Sequence, residues 1–339
     1  MKKLILALLV VSLFSCNQEK EVKKTETNIP SNSNVLLYSK AIVKQEVNLY
    51  PDMNKEWIAN LTKSGLISKI REGAKSGKTV YDYNAKEKMS IDEVTASLFY
   101  TIDTVTIEQE NGEIETKIIK TEYPEDQFKA LFFEENWGVD EDMTSFNKDI
   151  VKYTLIREVI DPQAKLDGLT TKDTMRYITI TVVNNHEDEN FKPLAQNIKS
   201  EFYFNQEDPS FIKGFNEENF TKAFLNSVLS GKKKAYSFDD LNTVLSVDEI
   251  KQSIGATTDT IIVENEDAGM DTVIVQNEAD PESIIGLIFI EDWFYNENTM
   301  LIEKKVTAMA PIWFNVIITS DGQSYETKQI PFLIKFDEE

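Results

Sequence analysis

The chain repeats itself at a separation of 156 residues. Residues 89–104 and residues 245–260 are identical at seven of sixteen positions, whereas average residue usage gives about one such match by chance. The same separation carries Trp137 onto Trp293. Because this period far exceeds that of solenoid repeats, we expect two tandem copies of a unit of about 155 residues, each a domain in its own right.

Each copy shows helix signals first. Helical patterns cover residues 57–74 and 219–229 and end in a Gly-Lys pair. A short extended piece around Tyr81 or Tyr236 follows. A serine and a glutamate three residues apart then fit the capping box that begins a helix. These pairs are Ser90 with Glu93 and Ser246 with Glu249.

Strand signals fill the rest of each copy. Residues 105–119 and 261–275 predict hairpins. Apolar runs at residues 128–133 and 284–290 are typical of buried strands, and each leads into an acidic pair and a tryptophan. The returning strands are predicted at 146–156 and 300–311, and the last strands at 177–183 and 332–336. Helices early and strands late predict an α+β fold with a mainly antiparallel sheet.

The first residues have the pattern of a lipoprotein signal. Two lysines precede an apolar run from Leu4 to Phe14, and Ser15 stands before Cys16. The run is too short to span a bilayer as a stable helix. Cys16 is the only cysteine in the chain and lies where a lipobox requires it. We therefore predict lipid attachment at Cys16, the alternative being an ordinary secretory signal with an incidental cysteine.

The predicted organisation has four parts. Residues 1–15 are the lipoprotein signal peptide, and residues 16–34 form a polar, flexible tether. Residues 35–188 are the first α+β repeat, and residues 189–339 are the second.

The charge of the chain restricts its partners. Its 58 acidic and 36 basic residues give a net charge of −22, and removal of Lys2 and Lys3 with the signal peptide makes this −24. Such a body is repelled by nucleic acid and by anionic lipid headgroups. We expect no nucleic-acid partner, and contact with the membrane through the lipid anchor only.

The chemistry of the residues argues against an enzyme. His186 is the only histidine and lies in a polar stretch between the copies, so we expect no catalytic residue, no zinc site and no cofactor. A carboxylate-dependent periplasmic hydrolase stays an alternative because acidic residues are plentiful. An acidic calcium-binding adhesion module is another, since residues 140–142 and 264–267 carry alternating oxygen ligands, although neither stretch is an EF-hand.

Aromatic residues recur after the central strands. The candidate partner-contact residues are Trp137, Trp293, Phe294 and Tyr295. Tryptophan and tyrosine are enriched at binding hot spots, which favours a protein-contact surface. The alternative is that these side chains cap the core.

The second copy resembles a known family. Glu291-Asp-Trp-Phe-Tyr295, then Met300, then Ala308-Met-Ala-Pro-Ile312 is similar to a stretch of the gliding-motility and type IX secretion protein family GldN (PorN). The first copy follows more loosely through Glu135, Asn136 and Trp137. Two departures are that the family is generally not lipidated and that a tandem copy is not a known feature of it.

The resemblance implies a non-enzymatic component of the Bacteroidetes cell envelope. It implies a location at the periplasmic face of the outer membrane, where family members assemble with a partner lipoprotein. The expected partners are envelope proteins, such as a GldK-like lipoprotein or other type IX secretion components.

Overall fold

The computed structural model describes residues 36–50, 55–109, 112–160, 174–185, 188–206, 208–264, 270–318 and 323–336. The predicted signal peptide, Cys16 and the tether lie outside these residues, and so does His186. By their contacts, residues 34–339 form one compact unit.

The first half of the chain begins with a long strand and then follows the predicted order of helices and strands. Its elements are β1 (Leu36–Asn48), α1 (Lys55–Lys63), α2 (Leu66–Lys75), α3 (Ile91–Leu98), β2 (Tyr100–Glu108), β3 (Ile114–Glu122), β4 (Phe128–Asp140), β5 (Phe146–Ile160) and β6 (Thr174–Val183).

The second half has the same order, with more and shorter strands. Its elements are β7 (Lys192–Tyr203), β8 (Ile212–Lys213), α4 (Glu217–Leu229), β9 (Ala235–Tyr236), β10 (Val244–Leu245), α5 (Val247–Ser253), β11 (Thr258–Glu264), β12 (Met270–Gln276), β13 (Ile284–Tyr295), β14 (Ile302–Ile318), β15 (Ser324–Gln329) and β16 (Leu333–Lys335).

The main sheet is antiparallel and contains strands from both halves. In the first half, β1 pairs with β4, β4 with β5, and β5 with β6. In the second half, β7 pairs with β13, β13 with β14, and β14 with β15 and β16. The halves join where β5 pairs with β14, with Lys148 opposite Lys304, and where β1 pairs with β8. The predicted α+β class with a mainly antiparallel sheet is therefore confirmed.

The expectation that each copy is a domain in its own right is not what the structure shows. One sheet runs through both halves, and residues 34–339 cluster as one unit. The physical reason is that the first residues of the returning strands β5 and β14 have edge groups that pair with each other, at residues 147–148 and 304–305. The boundary between residues 188 and 189 stays a prediction.

Each half also completes the core of the other. The core cluster beneath α1, α2 and α3 contains Trp293, Tyr295 and Met300 from the second half. The cluster beneath α4 and α5 contains Trp137 and Phe146 from the first half. Apolar surface that neither half could bury alone is thus removed from water by the exchange.

The local predictions fare well, with differences at the ends of elements. Both capping boxes are present at the starts of α3 and α5, and both hairpins form. The helix predicted at residues 57–74 is instead two helices, separated at Gly65, which has a left-handed backbone with φ of 67°. Strands β1 and β7 were not predicted, although β1 alternates between buried and exposed side chains from Ala41 to Val47.

The two capping boxes predict matched losses of stability. In each, the serine Oγ accepts a hydrogen bond from the glutamate N–H and the carboxylate accepts one from the serine N–H. We expect Ser90→Ala and Ser246→Ala each to lower the free energy of unfolding by about 0.5–2 kcal/mol in urea denaturation. Ser97→Ala, in the last turn of α3, is the control and should be neutral or slightly stabilising, because alanine is the better helix former. Equal effects at Ser90 and Ser97 would contradict the capping role.

Candidate functional site

The structure places the repeated aromatic residues in the interior. Trp137 is 1% exposed, Trp293 is 0% exposed and Tyr295 is 3% exposed. Only Phe294 keeps a partly exposed side chain. The first three do not form the partner-contact surface that the sequence suggested, because they fill the core. Contact with a partner stays a prediction for Phe294.

Each buried tryptophan is held by a glutamate two residues earlier. The Trp137 Nε1 donates to Glu135 Oε2 at 2.7 Å, and the Trp293 Nε1 donates to Glu291 Oε2 at 2.9 Å. The side chains at both ends of each bond are buried. Residues two apart on a strand lie on the same face, so each glutamate can reach the ring that follows it.

Two lysines complete the network by crossing between the halves. Lys304 Nζ lies 2.6 Å from Glu135 Oε1, and Lys148 Nζ lies 2.6 Å from Glu291 Oε1. All four side chains are 0% exposed. Lys148 also donates to Gln45 Oε1 at 3.3 Å. Each carboxylate therefore binds one ammonium and one indole N–H, so that neither charge is buried without a partner.

Aromatic rings close the network from the side. Lys148 Nζ lies 3.3 Å from the centre of the Phe289 ring, and Lys304 Nζ lies 3.4 Å from the centre of the Phe133 ring. The same rings pack edge to face on the tryptophans, Phe289 on Trp137 at 5.2 Å and Phe133 on Trp293 at 5.3 Å. Aromatic faces stabilise a desolvated ammonium, so the rings add to the ion pairs.

The ion pairs, the indole hydrogen bonds and the ring contacts of the network each have a counterpart at a separation of 156 residues. The pair of Glu135 with Lys304 corresponds to the pair of Glu291 with Lys148. The two lysines face each other across the pairing of β5 with β14. Such mutual exchange is the geometry of a two-fold, self-complementary contact.

Burial and pairing act in opposite directions on the charged groups. Burial by itself raises the pKa of Glu135, but Lys304 and Lys148 nearby and the hydrogen bonds from Lys304 and Trp137 lower it below its ordinary value. Burial lowers the pKa of Lys148, and Glu291 and Glu135 oppose this effect. Glu135 is thus held as a carboxylate in the interior.

The network does not have the geometry of a carboxylate-dependent hydrolase. A glycosidase needs two carboxyl groups that flank a substrate in a cleft. Glu135 and Glu291 are each bound to a lysine and a tryptophan in the core. Neither lines the open groove of about 550 Å³ that is bounded by β1, β4, β5, β6 and β7.

The other candidate ligands are bound within the chain or lie outside the described residues. Asp140 accepts hydrogen bonds from the Thr144 N–H and hydroxyl, and Asp142 pairs with Lys232 at 3.2 Å. Most of the second acidic stretch, residues 265–267, is outside the described residues. Within the described part of the chain, no group of three or more histidine, cysteine, aspartate or glutamate side chains is arranged to hold a metal ion.

Sequence reasoning missed the lysines. Lys148 and Lys304 lie 156 residues apart, each within a strand that alternates between buried and exposed positions. The available signal was a lysine at a strand position expected to be buried, repeated at the same separation as the tryptophans. It could have indicated paired charges in the core.

The fold and this network define a class: an antiparallel α+β protein whose repeated acidic and aromatic residues hold its two halves together. Residues 194–338 match the family model described as gliding motility associated protein GldN. The chain is therefore GldN-like over this region, as the resemblance of the second half predicted. No curated protein matches the chain.

The matched region contains one member of each crossing pair. Glu291, Trp293 and Lys304 lie inside it, whereas Glu135, Trp137 and Lys148 precede it. Among the described residues, no helix has the length and apolar character needed to cross a membrane.

Removal of one network lysine should be strongly destabilising. We expect Lys304→Met to lower the free energy of unfolding by about 3–5 kcal/mol, because Glu135 is left buried without its ion pair. Adding Glu135→Gln should recover part of the loss. Lys152→Met is the control, since Lys152 pairs with Glu134 at 3.1 Å on the partly exposed face of the same sheet and should cost less than about 1 kcal/mol. Similar losses at Lys304 and Lys152 in urea denaturation would contradict the network.

The lowered pKa of Glu135 predicts a loss of stability in acid. Because the folded protein binds fewer protons at Glu135 than the unfolded chain, its contribution is present above the ordinary pKa of 4.5 and disappears as the pH falls through the lowered value. Urea denaturation between about pH 3 and pH 7 should show a steeper loss for the natural chain than for the Glu135→Gln, Lys304→Met double variant. Parallel curves would show that Glu135 does not contribute.

Proposed function

We propose that the chain is a non-enzymatic binding or scaffold component of the cell envelope, held at the periplasmic face of the outer membrane by a lipid on Cys16. The match of residues 194–338 to the GldN family model carries the proposal, because that family is described as gliding motility associated. The sequence resemblance extends the proposal to type IX secretion. A GldK-like lipoprotein or another type IX secretion component is the partner we expect.

We infer that the chain arose by tandem duplication of one unit. The recurrence of the capping boxes, hairpins and crossing ion pairs at a separation of 156 residues supports this origin. A duplicated unit whose copies share one sheet and exchange core residues gives one continuous body. Such a body suits a scaffold, which must hold binding surfaces at fixed positions.

Because the repeated aromatic side chains are buried, we expect partner contacts on other parts of the surface. Trp137, Trp293 and Tyr295 are used in the core, so a partner must bind exposed surface. The net charge of −22 favours partners or subsites with basic character and opposes direct binding to anionic lipid. Attachment to the membrane then depends on the acyl chains, which together anchor a protein durably.

Lipidation and assembly can be tested together in a gliding bacterium that carries this gene. We expect labelled palmitate to enter the natural chain and not the Cys16→Ala variant, because the acylated thiol is lost. The variant should leave the outer-membrane fraction, and the cells should lose gliding and type IX secretion as a deletion strain does. Ser15→Ala is the control, since a small residue before the cysteine is retained.

Purification after crosslinking tests the partner. Affinity-tagged natural chain should recover type IX secretion components from crosslinked envelopes, and the Cys16→Ala variant should recover less. Recovery of bulk lipoproteins alone, or gliding and secretion that are normal in the deletion strain, would contradict the proposed function.

A further inference from the structure

The hairpin of β2 and β3 is an isolated two-stranded ribbon. Among the described residues, its strands pair only with each other, from Tyr100 opposite Glu122 to Glu108 opposite Ile114. A two-stranded ribbon is marginally stable in water, and its outer edges present unpaired N–H and C=O groups. The ribbon is therefore suited to accept a further strand.

One face of the ribbon, which we call the apolar face, carries the three most exposed isoleucines of the hairpin. Residues that are directly opposite share a face, which places Ile102, Ile114 and Ile118 together. Their exposures are 60%, 72% and 74%. The opposite face carries Val105, Ile107 and Ile119, which are less exposed, at 38%, 40% and 46%. Exposed apolar surface marks interaction sites in soluble proteins, and more of it lies on the apolar face.

The same face leads into a cavity at the base of the ribbon. This cavity of about 420 Å³ lies between the ribbon and helices α2 and α3. Its charged lining consists of Arg71, Lys75, Lys120 and Glu122, and its aromatic lining of Phe99, Tyr100 and Tyr123. Tyr100, Lys120 and Glu122 lie on the face that carries the isoleucines. The cavity and the apolar face therefore form one continuous surface, which we call the ribbon surface.

Positive charge is concentrated in this cavity of an acidic chain. Arg71 Nη2 donates to the carbonyl oxygens of Leu98 and Tyr123 at 3.0 and 2.9 Å, which fixes the guanidinium at the cavity wall. The Lys75 ammonium lies 5.1 Å from the centre of the Phe99 ring and has no ion pair among the described residues. Arg71 Nη1 also lies 3.6 Å from Glu125 Oε1, and Lys120 Nζ lies 2.6 Å from Glu122 Oε1. Lys75 is therefore the cation whose charge favours an anionic group in the cavity.

The second half of the chain lacks these cations. At separations of 154 to 156 residues, Arg71 corresponds to residues 225–227, Lys75 to 229–231 and Lys120 to 274–276, none of which is lysine or arginine. The capping boxes and the crossing pairs are repeated, whereas the cationic cavity is not. The cavity is thus not needed for the features that the halves have in common.

We propose that the ribbon surface binds an extended apolar segment of another envelope protein, with an acidic side chain of that segment in the cationic cavity. The segment adds a strand beside the ribbon, which satisfies the edge groups and covers the isoleucines. From Lys120 to Ile114 the ribbon provides roughly 20 Å, enough for about six residues of strand. A second copy of the chain fits less well, because its net charge of −22 opposes close approach. This inference rests on the proposed binding function and specifies its site.

Site-specific photocrosslinking in the full chain tests the proposal. A photoreactive residue at position 118, on the exposed face, should crosslink in cells to an apolar segment of an envelope protein, and mass spectrometry should find an acidic residue near the crosslink. The same residue at position 119, on the opposite face, should give a yield lower by about tenfold. Equal yields at the two positions, no crosslink, or a crosslink to a second copy would overturn the proposal.

Matched charge variants test the role of the cavity. Lys120 pairs with Glu122 and Lys117 pairs with Glu115, each two residues away on β3 but on opposite faces. Lys120→Glu and Lys75→Glu should each lower the crosslink yield from position 118 by about tenfold, whereas Lys117→Glu should not. Equal loss with Lys117→Glu, or no loss with either cavity variant, would overturn the role of the cavity.

A synthetic peptide of the captured segment gives a direct measure. Its affinity for the purified chain should fall by about tenfold when its acidic residue is changed to the amide, and a lysine at that position should restore binding to the Lys120→Glu variant. Amidation of the peptide's C-terminus should leave this affinity unchanged. A loss of affinity on amidation would show that the cavity binds the terminal carboxylate and not a side-chain carboxylate. If affinity purification still recovers type IX components from cells with the cavity variants while crosslinking is unaffected, the ribbon inference fails and the proposed function stands.

Discussion

Two ion pairs that cross between the halves of the chain determine how its strands can be arranged. Lys148 with Glu291 and Lys304 with Glu135 are fully buried, and the lysines lie opposite each other in the sheet. Desolvation makes such pairs weak sources of stability. They fix the register of β5 against β14, however, because a slip of one residue would turn each lysine to the other face of the sheet and leave a carboxylate unpaired in the core.

The crossing pairs explain why the halves share a core. Each lysine binds the glutamate of the other half, and that glutamate also binds the tryptophan two residues later on its own strand. Trp137 and Trp293 are therefore held in the core of the opposite half. Trp137 then packs on Phe289, which covers Lys148. Trp293 packs on Phe133, which covers Lys304. Neither half contains a complete core alone, so we expect folding to be cooperative over the whole body and not independent for each repeat.

Local signals in the sequence predicted the local structure well. The serine and glutamate at 90 and 93 define a helix start by themselves, and the turn before Ile114 defines a hairpin, because both depend on neighbours along the chain. The pairing of β5 with β14 and the burial of Trp137 depend on residues about 156 positions away, which no local pattern reports. An aromatic residue after an acidic pair fits a contact surface and a core cap equally, and only the position of Lys304 decides between them.

The distinction between what the halves share and what they do not share bears on function. Residues repeated at 156, such as Glu135 and Glu291, are used to build the body, and their burial removes them from contact with partners. Binding specificity must then come from exposed features that differ between the halves. Arg71, Lys75 and Lys120 have no cationic counterparts in the second half, although a hairpin is present there. On the proposed duplicated scaffold, the one hairpin that carries these cations would offer a single specific site, so that two partners would not compete for equivalent positions.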